Sequence, residues 1–172
     1  MTLMSLIVAV AFSGVSVGLE SWRRGSNALE KMDRRSAVER LVKRQLALAH
    51  PQQFQRDGQT YILFQGSSRR LEFVSDYSLM DGPGDHRVIE YVVDGGRFLY
   101  RETPLFVSRG EIRGNPDRSV GAFSKVAFRF VGSRKEGPNV WFDEWHEDMG
   151  IPVAVEIRID DDVLMVPMVN RR

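Results

Sequence analysis

The chain opens MTLMSLIVAVAFSGVSVGLE, and nineteen residues pass before the first charged side chain, Glu20. No other stretch limits the choice of fold as much. About 20 apolar residues cross the hydrocarbon core of a bilayer as a helix, and residues 1–19 hold nothing that a bilayer rejects strongly. Gly14 and Gly18 form a small-xxx-small pair, which lets two helices approach closely; glycine is also common in membrane helices generally. A cleavable secretory signal fits less well. It needs a basic n-region, and no Lys or Arg precedes the apolar run, although Ser16-Val17-Gly18 would serve as a small-x-small cleavage site. The stretch therefore reads as an anchor that stays. The nearest basic residues, Arg23 and Arg24, lie after it. Taken alone, that predicts a cytoplasmic C-terminal part; a basic leader upstream of Met1 would reverse the prediction.

The pattern continues without a break. From Ser21 to Ala49 there is no proline. Apolar residues fall at Trp22, Leu29, Met32, Val38, Leu41, Val42, Leu46 and Ala49, mostly three, four or seven apart. That spacing predicts an amphipathic helix with one buried stripe. Gly25 weakens it locally by about 1 kcal/mol relative to alanine. His50-Pro51 ends it, because proline pushes the preceding residue out of the helical region. Residues 1–51 carry eight Lys/Arg against four acids, a net of +4, and the remainder is −3. A basic helix before a mildly acidic head points to an anionic partner or membrane surface, or simply to a solvated helix face.

From Gln52 onward the sequence reads as short strands and turns. YILFQ (61–65) and RLEFVSDY (70–77) flank Gly66-Ser67-Ser68. HRVIEYVV (86–93) and RFLYRE (97–102) flank Asp94-Gly95-Gly96, a strong hairpin signal. In KVAFRFV (125–131), Val126, Phe128 and Phe130 alternate with Lys125 and Arg129, as in a half-buried strand. VAVEIRI (153–159) and VLMVPMV (163–169) flank Asp160-Asp161-Asp162, and Pro167 predicts an edge for the last strand. GSRKEGPNVW (132–141) reads as a turn into a strand, and 78–85 and 107–119 as loops. The predicted fold is α+β: a long N-terminal helix, membrane-spanning in its first half, packed on an antiparallel β-rich head. Its parts are 1–20 for the membrane, 21–50 for the amphipathic continuation and 52–172 for the head.

Chemistry is sparse. Cysteine is absent, which excludes disulfides and thiolate metal sites. His50, His86 and His146 form no i, i+4 metal pair. No P-loop, GxSxG or dinucleotide fingerprint is present. Asp143, Glu144, Glu147 and Asp148 surround His146, an arrangement that could hold a cation but reads more simply as a charged surface loop. Asp160–Asp162 does not have EF-hand spacing. Phe128-Arg129-Phe130 could suggest single-stranded nucleic acid, yet in a strand the arginine faces away from the two rings. Trp141 and Trp145, four apart, are expected to cap the core. No catalytic residue, metal or cofactor is expected. An enzyme or sensor domain on a signal anchor would have to use the Asp143–Asp148 stretch.

The N-terminal segment resembles that of type IV pilins and type II secretion pseudopilins after leader removal, typically F-T-L-x-E-x-L-V-A-x-A-I-F. Thr2, Leu3, Leu6, Val8, Ala9, Ala11 and Phe12 carry the likeness. In the head, LEF (71–73), RVIEYVVDGGRFLYRE (87–102), VAFRF (126–130), Trp141-x-x-x-Trp145 and IPVAVEIRI (151–159) run in the order of the minor pseudopilin family called general secretion pathway protein J. The resemblance implies a pilin-like fold and a periplasmic head on a single pass through the inner membrane of a bacterium. It also implies N-methylation at Met1 and assembly through Met1, Thr2, Leu3, Ser5, Leu6, Gly14 and Gly18. Tyr91, Trp141, Trp145, Pro152 and Val155 would be the family positions of the head. The implied partners are other minor pseudopilins in a tip complex that primes pseudopilus assembly, with no nucleic acid and no small-molecule substrate. A minor pilin of a type IV pilus is the near alternative, and a membrane-anchored periplasmic binding or sensor domain the distant one. Two positions depart from the family. Met1 stands where Phe usually sits, as a mature start or an internal methionine would. Ser5 replaces the usual Glu, which suits a specialised tip subunit, since a membrane-buried Glu needs a partner.

Overall fold

The computed structural model describes residues 35–80, 82–105, 118–133 and 138–168. The expected membrane segment, with Met1, Thr2, Leu3, Ser5, Leu6, Gly14 and Gly18, lies outside them, as does the helical stripe before residue 35. Among the described residues no helix is long and apolar enough to cross a membrane. The chain divides into two compact units, Met1–Ala37 and Val38–Arg172.

The described helix, α1, runs over 35–47. Val38, Val42 and Leu46 recur every four residues and are buried, so the expected stripe forms the core face. The helix stops short of the expected end at His50-Pro51. Leu48 N donates to Arg44 O at 3.1 Å, closing the last turn, and Ala49–His50 then becomes strand β1. The reason is a side chain from the sheet. Ser75 Oγ donates to Gln45 O at 2.9 Å and also lies 3.4 Å from Leu48 O, so carbonyls without an intrahelical donor find a partner there.

The strands are β2 (Gln53–Arg56), β3 (Gln59–Ile62), β4 (Phe64–Ser67), β5 (Arg70–Ser78), β6 (Gly82–Asp94), β7 (Arg97–Pro104), β8 (Arg118–Ala122), β9 (Val126–Ser133), β10 (Asn139–Phe142), β11 (Ala154–Ile159) and β12 (Asp162–Pro167). One antiparallel sheet orders β1-β5-β6-β7-β8, with β4 also on β5; a second orders β10-β9-β11-β12; β2 and β3 form a separate ribbon. The hairpins expected at Asp94-Gly95-Gly96 and Asp160–Asp162 are present as β6–β7 and β11–β12, and β12 is an edge strand, as Pro167 predicted.

Three local expectations are corrected. The strand expected at 61–65 breaks at Leu63: Tyr61 and Ile62 finish β3, and Phe64 starts β4. β3 pairs back to β2 through Asp57-Gly58, both at positive φ (53° and 76°), the signature of a tight two-residue hairpin turn. The loop expected at 78–85 is shorter, since β6 already starts at Gly82, and β8 takes the end of the loop expected at 107–119.

The two larger sheets share one core with the helix. Tyr100, Tyr91, Phe98 and Phe128 follow one another at ring separations of 5.1–6.0 Å. Phe73, Phe64, Phe130 and Trp145 make a second row at 5.9–6.5 Å. Each row crosses from the first sheet into the second. Backbone bonds also tie the first sheet to the second half of the head: Gly66 N donates to Trp145 O and Trp145 N to Gly66 O, both at 2.9 Å, and Phe128 N of β9 donates to Ser68 O at 3.1 Å.

Candidate functional site

The position that tells most about function is where α1 rests on the first sheet. Gln45 is fully buried although it falls within the apolar stripe. A buried amide must find partners for its donors and its acceptor, and the central strands supply them. Its Nε2 donates to Tyr100 Oη at 2.9 Å and to Tyr77 O at 3.2 Å, and its Oε1 accepts from Tyr91 Oη. Tyr100 Oη passes the chain on, donating to Glu102 Oε2 at 2.5 Å. That oxygen also accepts from Leu79 N at 3.1 Å, and Arg87 Nε lies 3.9 Å from Glu102 Oε1. Every link points the same way, from Tyr91 through Gln45 and Tyr100 to a carboxylate. Such a directed chain in a low-dielectric core strengthens its own members and fixes one geometry. On the helix flank, the Arg44 guanidinium lies 4.3 Å above the Tyr77 ring.

Burial, then the nearby Tyr100 and Glu102, pushes the Tyr91 phenol well above its usual range. Burial and the bond to Glu102 push the Tyr100 phenol up as well. Both stay protonated at any physiological pH and act as fixed donors. The clamp therefore couples α1 to β5, β6 and β7.

The head positions that the sequence resemblance singles out divide. Tyr91 is a member of the clamp. Trp145 is buried against Phe130 and Phe142, with its Nε1 donating to Gly150 O at 2.7 Å. Val155 and Pro152 are buried. Trp141 does not cap the core and is 43% exposed. Register explains it: Phe142 pairs with the inward Phe130, so Trp141, paired with Val131, must face out. There Arg129 lies 5.0 Å from the Trp141 ring and 3.0 Å from Asp143 Oδ1, turned away from Phe128 and Phe130 as expected.

The acidic stretch around His146 does not converge. Asp143 pairs with Arg129, Glu147 with Arg56 at 2.5 Å, and Glu144 lies 3.9 Å from His146. Asp160 holds Lys125 N at 3.0 Å and shapes its hairpin from positive φ. Exposed apolar side chains sit elsewhere, at Leu79 and Met80 beside the clamp and at Val163 and Met165 on the edge strand β12. Sequence reasoning missed Gln45, Ser75 and Glu102. The signal for Gln45 was available: it is the polar residue three after Val42 and next to Leu46 in the stripe. Ser75 and Glu102 carry no local signal.

Comparison of the sequence with known protein families finds no match, and comparison with curated protein sequences finds none either. The fold does match solved structures. A chain of the GspK–GspI–GspJ complex from the type 2 secretion system of enterotoxigenic Escherichia coli aligns with a TM-score of 0.61 at 16% identity, over 83% of this chain and 99% of that one. The β-rich fold with its one described α-helix is thus like that of a chain of this complex.

Proposed function

We propose that the chain is a minor pseudopilin of a type II secretion system, of the protein J kind, acting in the tip complex that primes pseudopilus assembly for protein export. The observation that carries the reading is the structural likeness over nearly the whole length of a chain from such a complex. The pilin-like segment from Thr2 to Phe12 and the order of the head motifs support it independently. On this reading residues 1–20 sit in the inner membrane, the helix continues from 21 to 47, and the head that follows it stands in the periplasm. Work is done by packing, not by chemistry. The N-terminal helix joins the helices of other minor pseudopilins, with Gly14 and Gly18 permitting close approach. The Gln45 clamp would pass displacement of this part of α1 into the middle strands of the head.

Isolation of the tagged full chain from its own cells, with its associated membrane proteins identified by mass spectrometry, tests the proposal. Other minor pseudopilins of the secretion machinery should accompany it, and deleting the chain should block export. Recovery with pilus subunits instead would make it a minor pilin. Recovery with neither, and intact export after deletion, would refute an assembly role.

A further inference from the structure

Among the described residues, one place brings three metal-ligating side chains together: His50, Asp76 and His86 each offer an atom within 4.8 Å of the others. They are far apart in sequence, and the sheet makes the meeting. His50 is the last residue of β1, just past the end of α1. Asp76 sits at the irregularity of β5 between Ser75 and Tyr77, where the register to β6 shifts. Such a bulge re-aims a side chain. His86 comes from β6, on the other side of β5 from β1. His86 Nδ1 lies 2.7 Å and His50 Nδ1 4.0 Å from the same Asp76 Oδ1, and the two imidazoles stack with centroids 4.4 Å apart. Backbone bonds hold the frame: Asp76 N donates to Leu48 O at 3.1 Å, and Leu105 N to His86 O at 3.3 Å.

We infer that His50, Asp76 and His86 form a site for a divalent transition-metal ion, with Zn²⁺ as the ion that fits the donor set best. Two imidazoles and one carboxylate are the ligands of a borderline ion, whereas Ca²⁺ and Mg²⁺ favour all-oxygen sites. Three protein ligands leave a fourth tetrahedral position for water. The side chains are 39%, 33% and 43% exposed, so an ion can enter, and binding it would turn the two stacked rings until one nitrogen of each points at the ion. The ligands come from the strand that follows α1 and from two central strands, so the ion would staple the end of the helix to the sheet, next to the clamp. This inference stands apart from the assembly reading and survives its failure.

The test is calorimetric titration of the purified, chelator-treated full chain with ZnCl₂, with visible absorption of the Co²⁺ form as a second readout. One equivalent should bind, Co²⁺ should give the intense bands of a tetrahedral site, and Zn²⁺ should raise the melting temperature. His86→Ala and Asp76→Asn should each weaken binding by about tenfold or more. His146→Ala, which changes a solvent-exposed imidazole elsewhere, should leave it unchanged. Circular dichroism identifies folded variants; if His86→Ala is not folded, His86→Asn takes its place. No saturable Zn²⁺ binding by the parent chain, or equal binding by the parent and the folded His86 and Asp76 variants, would overturn the inference.

Discussion

Replacing Gln45 by leucine keeps most of the volume and removes every polar link between α1 and the sheet made by this side chain. Tyr91 Oη, in a fully buried residue, then loses its acceptor. Leaving such a donor unsatisfied costs about 1–3 kcal/mol. The two bonds from Nε2, to Tyr100 Oη and Tyr77 O, also vanish, at about 0.5–1.5 kcal/mol each. Tyr100 keeps Glu102 and so is not orphaned. Gln45→Leu should therefore destabilise the chain by about 2–6 kcal/mol, a large share of a typical domain's stability. The decisive comparison is with Tyr91→Phe. Removing both partners of a buried bond is far milder than removing one. In the double variant the orphaned phenol no longer exists, so the loss should fall short of the sum of the single losses by about 1–2 kcal/mol. Urea unfolding followed by tryptophan fluorescence measures all three. Additivity within about 0.5 kcal/mol would refute the clamp as a coupled unit.

Other consequences are simpler to check. Gly66→Ala would place a Cβ 2.5 Å from Phe130 Cζ and 2.8 Å from Arg70 O; with Phe130 fully buried, overpacking should cost about 1–3 kcal/mol by urea unfolding. The Tyr91 and Tyr100 phenols have folded pKa values raised above the ordinary 10.0, so their stabilisation is whole below that pH and is lost as pH rises beyond it. The melting temperature should fall above about pH 10, less steeply in Tyr91→Phe. Burial raises the Glu72 carboxyl above its usual 4.5 against the opposing pull of Arg70, with Glu90 directly across the strand pair adding to the rise. Stability from its neutral form is present below the unfolded pKa and lost as pH rises through the folded one. Glu72→Gln should therefore gain in melting temperature relative to the parent as pH rises from about 4.5 upward; a difference that does not change with pH would contradict the reasoning.

What could be read from the sequence follows the range of the forces involved. The stripe Val38, Val42, Leu46 and the alternation in β9 are local patterns, and the Asp94-Gly95-Gly96 turn is local chemistry; all three survive in the fold. β2 was invisible because Gln53–Arg56 holds a single apolar residue, Phe54, and owes its pairing to the Asp57-Gly58 turn. Trp141 was misplaced because two tryptophans four apart suggest one face, whereas strand register puts Phe142 inward and Trp141 out. The clamp joins residues 45, 91, 100 and 102, and the histidine site residues 50, 76 and 86. Pairing across β1, β5, β6 and β7 creates both, and no spacing in the chain announces it.

The claim that this chain is a pseudopilus subunit is tested most directly by the mass of the N-terminal peptide of the protein isolated from its native membrane. The account predicts a first residue carrying one extra methyl group on its amine and no formyl group, the mark of prepilin processing, with residues 1–19 retained. A formylated or unmethylated N-terminus, or a mature protein lacking the apolar segment, would contradict it.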